Sequence, residues 1–313
     1  MLRVHLIRRI PRHTRETPVS TFTVIINKKS GSAEEARRKA VADAFARMNL
    51  DARIVLVDGA DIHKTAQQAA AAGHSLVAGG GDGTVGSVAS VAVKSGSTFG
   101  VVPLGTLNHF AKDLHIPLEL DAAVQTVAAG RVGRVDVGQV NHRLFVNNSS
   151  IGLYPSIVHV RDQLRRQGHW KWTAMAMATA RVLRRFRGVR VRIDDGGRER
   201  VWRTPFVFVG NNEYAVDGFN LGSRTSLDRG RLFVYLAPRL HTRELPLLFL
   251  KALAGRAGRS GDFEIVSSIE LQIDTRRPHR GVRVALDGEV MKMPTPLHYR
   301  TRPGALKVML PLA

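Results

Sequence analysis

Six consecutive positions, Gly79, Gly80, Gly81, Asp82, Gly83 and Thr84, set one carboxylate among four glycines and a hydroxyl. Residues without a Cβ reach φ > 0 and let main-chain N–H groups approach a polyphosphate, and a helix that follows adds its partly positive N-terminus. The pattern suits a nucleotide phosphate site. A carboxylate among phosphate-binding amides makes electrostatic sense if it holds a divalent cation or takes a proton from an incoming hydroxyl. A purely structural turn needs only one or two glycines. The run matches neither G-x-x-x-x-G-K-[ST] nor G-x-G-x-x-G, so the common P-loop and dinucleotide fingerprints do not apply.

Two further loops offer polar groups to the same ligand. Phe22 to Ile26 reads as a strand, followed by Asn27, Lys28, Lys29, Ser30 and Gly31 and then a helix from about Ala33 to Met48. Lysines at a helix start oppose the macrodipole. An anionic ligand accounts for them, and so does a solvated basic loop. Phe99 to Val102 reads as another buried strand, and Pro103 to Asn108 as the loop leaving it, with Gly105 for close approach and Thr106 and Asn108 offering a hydroxyl and an amide to phosphate, ribose or base. A third pattern lies far downstream, where the strand Val282 to Leu286 runs into Asp287-Gly288-Glu289, two carboxylates on what local chemistry reads as a hairpin turn.

The elements that must position these groups alternate. Ile62 to Ala72 is an alanine-rich helix ended by Gly73, Ser75 to Ala78 a short apolar strand entering the glycine run, and Val85, Val88, Ala89 and Ala92 recur at helical spacing after it. Strand, loop and helix in this order predict an α/β unit whose ligand collects beyond the carboxyl ends of parallel strands. From Val135 the character changes to short apolar runs separated by turn signals, at Asp194-Asp195-Gly196-Gly197, Asp217-Gly218, Asp228-Arg229-Gly230 and Asp287-Gly288. Ser156 to Phe186 interrupts that half as one or two helices, with Gly168 as its breaker.

The three loops, in this order and spacing, resemble the catalytic domain of the diacylglycerol kinase family, which includes bacterial lipid kinases and sphingosine kinases. The matching stretches are Asn27 to Gly31, Gly79 to Thr84, Pro103 to Ala111, Phe145 to Gly152, Asn211 onward with Leu227 to Leu232, Asp287-Gly288-Glu289, and Pro303 to Pro311. Pro-Leu-Gly-Thr-Leu-Asn favours this branch over the NAD kinases, which share the glycine run. Residues 1–18, with five arginines, read as a flexible basic arm or a short added strand. After them the resemblance implies a mixed α/β protein, with an α/β nucleotide-binding domain over 19–133 and a β-sandwich-like lipid domain with a helical insertion over 134–313. It also implies ATP in the cleft between them and Mg²⁺ as the cation. ATP would meet Asn27, Ser30, Gly31, Gly79, Gly80, Gly81, Gly83, Thr84, Gly105, Thr106 and Asn108. Asp287 or Glu289 would accept the proton of a lipid hydroxyl, and Asp82 would order the metal and phosphates. The alternatives are NAD kinase-like phosphorylation of a soluble substrate and a nucleotide-binding protein without turnover. The chain departs from the family at Lys28, at His109 and at Arg229, where relatives carry a proline, an acid and a second acid. Arg229 argues against a structural metal at the Leu227 to Leu232 turn and leaves Asp228 a turn residue.

With 47 Lys and Arg against 26 Asp and Glu the formal net charge is +21, an excess that calls for an anionic partner. Aromatic residues make up only 6%, and no zinc spacing, RNA-recognition signature or helix-turn-helix is present, so nucleic acid is not expected. An anionic membrane surface fits better. Arg161, Arg165 and Arg166 precede Trp170, Lys171 and Trp172, Met175 and Met177 follow, and Arg181, Arg184, Arg185 and Arg187 close the segment. A Met and Ala stripe at helical spacing also suits a core. The longest apolar stretch, Leu245 to Leu253, is too short to span a bilayer, residues 1–18 lack a signal-peptide core, and there is no cysteine. These readings place the protein in the cytoplasm, peripheral to the membrane, and leave its oligomeric state open.

Overall fold

The computed structural model describes residues 21–28, 34–186, 188–217, 220–237, 264–275 and 281–312. The expectations for the basic arm, for Ser30 and Gly31, for Arg187, for the turn at Gly218 and for Leu245 to Leu253 lie outside these residues. In chain order the first half holds β1 (Phe22–Asn27), α1 (Glu34–Arg47), β2 (Ala52–Val57), α2 (Ile62–Ala71), β3 (Ser75–Gly80), α3 (Asp82–Ser95), β4 (Phe99–Pro103), α4 (His109–Asp113) and α5 (Leu120–Ala129). Next come β5 (Val132–Val140), β6 (Arg143–Phe145), β7 (Asn148–Gly152), α6 (Leu153–Arg166), α7 (Lys171–Arg185), β8 (Val189–Asp194), β9 (Glu199–Thr204) and β10 (Phe206–Asn211). The remainder is β11 (Tyr214–Asp217), β12 (Asn220–Arg224), β13 (Leu232–Leu236), β14 (Glu264–Ser268), β15 (Glu270–Thr275), β16 (Val282–Leu286), β17 (Glu289–Met293) and β18 (Leu297–Met309).

Strands β1, β3 and β4 are apolar runs buried on both faces, the signature of a parallel sheet with helices on each side. They pair in parallel in the order β2-β1-β3-β4. Ile25, Leu76, Ala78, Phe99 and Val101 point to the face covered by α2 and α3, where Ala66, Val85, Val88 and Ala92 close the core. Val24, Ile26, Val77 and Val102 point the other way, against Val41 and Phe45 of α1 and Val124 and Val127 of α5.

The last strand ties the two halves together. β18 adds to β4 in parallel while pairing antiparallel with β5 and β15, so one ten-stranded sheet runs from the nucleotide side into the β-rich half. The second sheet, six strands in the order β14-β13-β10-β7-β16-β17, packs on that extension. Ile151, Val209, Val234 and Val284 from one layer meet Val191, Ile193, Leu271, Ile273 and Tyr299 from the other as the core of a sandwich. The mixed α/β architecture with a β-sandwich-like second half is therefore as the sequence implied.

The interrupting segment forms two helices, α6 and α7, broken at Gly168 with φ 89°. Ala174, Ala178 and Leu164 seal the contact between them. Trp170, Trp172 and Met177 stay outside, 64%, 62% and 46% exposed.

Phe99 is fully buried, and its ring stands 6.3 Å from that of Phe110 at the start of α4. Phe99→Ala should cost about 3–5 kcal/mol, read as a lowered urea midpoint at unchanged slope.

Candidate active site

The glycine run is packed tighter than its sequence suggested. β3 extends to Gly80 and α3 begins at Asp82, so Gly81 alone forms the turn, with φ −90° and ψ −175°. None of Gly79, Gly80, Gly81 or Gly83 is among the residues with positive φ. The expectation that these glycines exploit left-handed backbone is corrected: they are small because neighbours fill the Cβ position. A Cβ on Gly79 would lie 2.8 Å from Ile26 Cγ1, and one on Gly80 would lie 2.6 Å from Thr84 Oγ1. Thr84 is consequently buried beneath the strand end.

The second loop presses on the first. A Cβ on Gly105 would stand 2.4 Å from the Cα of Gly81, and Leu104 N–H donates to the Gly80 carbonyl at 3.1 Å. Asn108, left-handed at φ 50°, accepts from Gly105 N–H at 3.0 Å and donates its Nδ2 to the Gly105 carbonyl at 2.9 Å. Its amide therefore shapes the loop. Thr106 is exposed at the rim, and Asn27 ends β1 near Gly59 on the neighbouring loop.

Asp82 occupies the first position of α3, where a negative charge suits the macrodipole. Its Oδ1 accepts from Phe110 N–H at 3.2 Å and from Asn147 Nδ2 at 3.4 Å. No described residue hydrogen-bonds its Oδ2. Among the described residues no group of three His, Cys, Asp or Glu side chains could cage a metal. One carboxylate with an open oxygen beside the glycine run fits Mg²⁺, which keeps most of its ligands as water and substrate phosphates.

Asp287 arrives from the other half. The β16–β17 hairpin turns through Asp287 at φ 46° and Gly288 at φ 90°, both positive as a tight two-residue turn requires. The local reading as a hairpin turn holds. The Asp287 carboxylate accepts three backbone N–H groups, from Val146 at 2.9 Å, Asn147 at 2.8 Å and Asn148 at 3.1 Å. Burial pushes its pKa up to about 6 against the pull of those N–H groups and of Arg224. Burial also raises the Glu289 carboxyl, which Arg143 opposes. The turn touches α3 directly: a Cβ on Gly86 would lie 2.9 Å from Asp287 Oδ2, and one on Gly83 would lie 3.3 Å from Glu289 Oε1.

Between α3 and this hairpin lies a cleft of about 230 Å³ lined by Gly83, Gly86, Ser87, Asp287 and Glu289. Through His142, Arg143 and Met291 it adjoins a larger cavity of about 680 Å³. Asp228 sits at an exposed turn bonded to Ser226, while Arg229 reaches Glu213 at 2.6 Å.

Sequence reasoning did not assign roles to Asn147, Arg224 or Asp113. Asn147 is one residue within the family-like stretch Phe145 to Gly152, and that resemblance was the available signal. Arg224 and Asp113 carried none.

Gly86→Ala gains helix propensity of about 1 kcal/mol yet drives a methyl onto Asp287. Turnover should fall about tenfold or more, with the far-UV circular dichroism spectrum retained.

Residues 21–140 match the diacylglycerol kinase catalytic domain, and residues 156–310 match the YegS C-terminal NAD kinase beta sandwich-like domain. A "Probable lipid kinase YegS-like" of Pseudomonas savastanoi is 30% identical over 303 residues, covering 92% of each chain. Its counterpart from Pseudomonas aeruginosa is 29% identical over 298 residues, covering 92% of this chain and 93% of its own. Among solved structures, a diacylglycerol kinase from Bacillus anthracis superposes with a TM-score of 0.67 at 20% identity, covering 95% of this chain and 98% of its own. Yeast NADH kinase complexed with NADH shares the fold more loosely, with a TM-score of 0.51 at 11% identity over 93% of this chain and 83% of its own. With both halves matched and the acid hairpin set against the glycine-run helix, the chain belongs to the YegS-like lipid kinases of the diacylglycerol kinase family.

Proposed function

We propose that the protein transfers the γ-phosphoryl group of ATP to a hydroxyl of a diacylglycerol-like or related lipid. The observation that carries this reading is the seating of Asp287, from the β-sandwich, on Gly86 of the helix that starts at the glycine run. Phosphoryl transfer needs placement and charge neutralisation more than covalent help. The turns at Gly81 and Gly105 press together where β3 and β4 end, and a triphosphate would lie against their backbone. Bound at Asp82, Mg²⁺ would supply positive charge to the phosphate oxygens.

The lipid hydroxyl oxygen bonds to the γ-phosphorus as the bond to the bridging oxygen of ADP breaks. Its proton passes to Asp287. That carboxylate suits the role because its pKa of about 6 lies near neutrality and Oδ2, with one backbone donor, faces the cleft. Glu289, beside it and exposed at the cleft, is positioned to orient the acceptor. The adjoining cavity, with Met291, Met293 and Pro294 beside Arg143 and Lys292, offers both apolar surface and positive charge to the lipid.

The acceptor lies in a membrane, and the α6–α7 hairpin is the proposed contact. α6 follows β7 and packs on β16, so the hairpin stands beside the sheet that carries the acid turn. Trp170 and Trp172 are exposed, Lys171 lies 5.6 Å from the Trp172 ring centroid, and Arg181, Arg184 and Arg185 are exposed towards the other end of α7. Exposed tryptophans among basic side chains suit an anionic interface, with each basic group worth about 1 kcal/mol there. No helix among the described residues is long and apolar enough to cross a membrane. The reading places the enzyme at the cytoplasmic face, held peripherally.

With labelled ATP and extracted lipids, label should enter the organic phase. Label in a dinucleotide would favour the NAD kinase-like alternative, and binding without transfer would leave a nucleotide-binding protein. Asp287→Asn should lower kcat by about a hundredfold or more, Glu289→Gln by less. Because the base must be ionised, kcat should rise with pH through about 6 and level above it. A flat profile in that window, with full turnover in Asp287→Asn, would remove the base assignment. In sedimentation with vesicles, replacing both Trp170 and Trp172 by Ser should release the protein from anionic vesicles, while neutral vesicles should bind neither form.

A further inference from the structure

Behind the two acids lies a buried ion pair with no role in the reaction as described so far. Arg224, at the end of β12, and Asp113, at the end of α4, pair at 2.7 Å with side chains 0% and 4% exposed. Every other ion pair among the described residues has both side chains at least 30% exposed. Burying a guanidinium is costly unless its donors are met. Here Nη1 donates to the carbonyls of Val146 at 2.7 Å and Asn211 at 3.1 Å, and Nη2 donates to Asn147 Oδ1 at 2.8 Å. The Tyr214 ring lies 5.5 Å from the guanidinium carbon.

The contact with Asn147 matters because an amide side chain has two faces of nearly equal shape and opposite polarity. A cation on the carbonyl oxygen leaves one orientation, with Nδ2 turned to Asp82. The same residue's backbone N–H holds Asp287. We propose that Arg224 is a positioning residue for phosphoryl transfer: by fixing the Asn147 amide it sets the placement of Asp82 against Asp287. Through Asp113 it also anchors α4, which leaves the Pro103 to Asn108 loop. The proposal rests on the roles assigned to Asp82 and Asp287 above.

Charge supplies a readout that a packing role would not move. Asp287 is faced by Arg224 and Tyr214 from behind, by Asp82 across Asn147, by Arg143 and His142 from the β5–β6 turn, and by Glu289 on its own hairpin. His63 and Lys94 line the far end of the cleft. Of these, Arg224 is the charge that opposes burial at Asp287.

The experiment compares Arg224→Gln, Asp113→Asn and Asn147→Asp with the parent, measuring kcat, KM for ATP, the pH profile and the melting midpoint of each full-length chain. Arg224→Gln should lower kcat by about a hundredfold with KM for ATP within about threefold. It should also move the acid limb of kcat to higher pH, because Asp287 loses a compensating positive charge. Asp113→Asn should move that limb to lower pH, because Arg224 keeps its charge and loses its counter-ion. A folded Arg224→Gln with parental kcat overturns the proposal, as do two variants whose limbs stay in place while kcat falls only in step with melting. If Arg224→Gln does not fold, Asn147→Asp decides: it keeps the shape, gives Arg224 a partner and removes the donor to Asp82. A loss of kcat of about a hundredfold supports the proposal, and parental kcat overturns it. Failure of the base assignment is separable, because it shows in the parent and in Asp287→Asn, whereas the kcat comparison of Arg224→Gln and Asn147→Asp still reads the positioning.

Discussion

The site hangs on Asn147. Its backbone N–H bonds Asp287, its side-chain NH₂ faces Asp82, its side-chain oxygen takes Arg224, and its own carbonyl accepts from Asn211 N–H at 2.9 Å. One residue thus bonds two acids that come from opposite halves of the molecule and is itself held by Arg224 and Asn211. The amide and the cation behind it hold the acids in place in the folded protein before any substrate adds charge.

A second constraint is steric. The turn at Gly81 and the turn at Gly105 approach so closely that no side chain fits between them, and Gly86 yields the same space to Asp287. Such contacts demand that the elements carrying them be stiff. β3 and β4 lie in the middle of a sheet buried on both faces, and α3 packs on them through Val85, Val88 and Ala92. β18 supplies the remaining rigidity, because it pairs with β4 at one end and with β15 at the other. The glycine run leaves a strand of this sheet, and the acid hairpin comes from the second sheet packed on its extension.

The geometry divides the labour between the halves. The parallel half presents packed backbone turns and one carboxylate with an open oxygen, which suits phosphate and a divalent ion. The sandwich half presents the Asp287 carboxylate, a cavity of mixed apolar and cationic lining, and an exposed Trp and Arg hairpin, as the proposed acceptor in an anionic lipid surface would require. The net charge of +21 is consistent with that surface.

Much of this was legible in the residues. Apolar runs bounded by Gly and Pro located β1, β3, β4 and β16 to within one or two positions, because burial of both sheet faces and turn chemistry act locally. The glycine run, the Pro103 to Asn108 loop and the Asp287-Gly288-Glu289 turn stood out for the same reason. What only the tertiary structure decided depends on distance between residues remote in the chain. Asn147 meets Asp82 across 65 positions and Asp287 across 140, and Arg224 meets Asp113 across 111. The glycines looked like carriers of unusual backbone angles, yet they are small because Ile26, Thr84 and a second loop occupy the space of a Cβ. A sequence records which side chains are absent, and only the packed fold shows what fills their place.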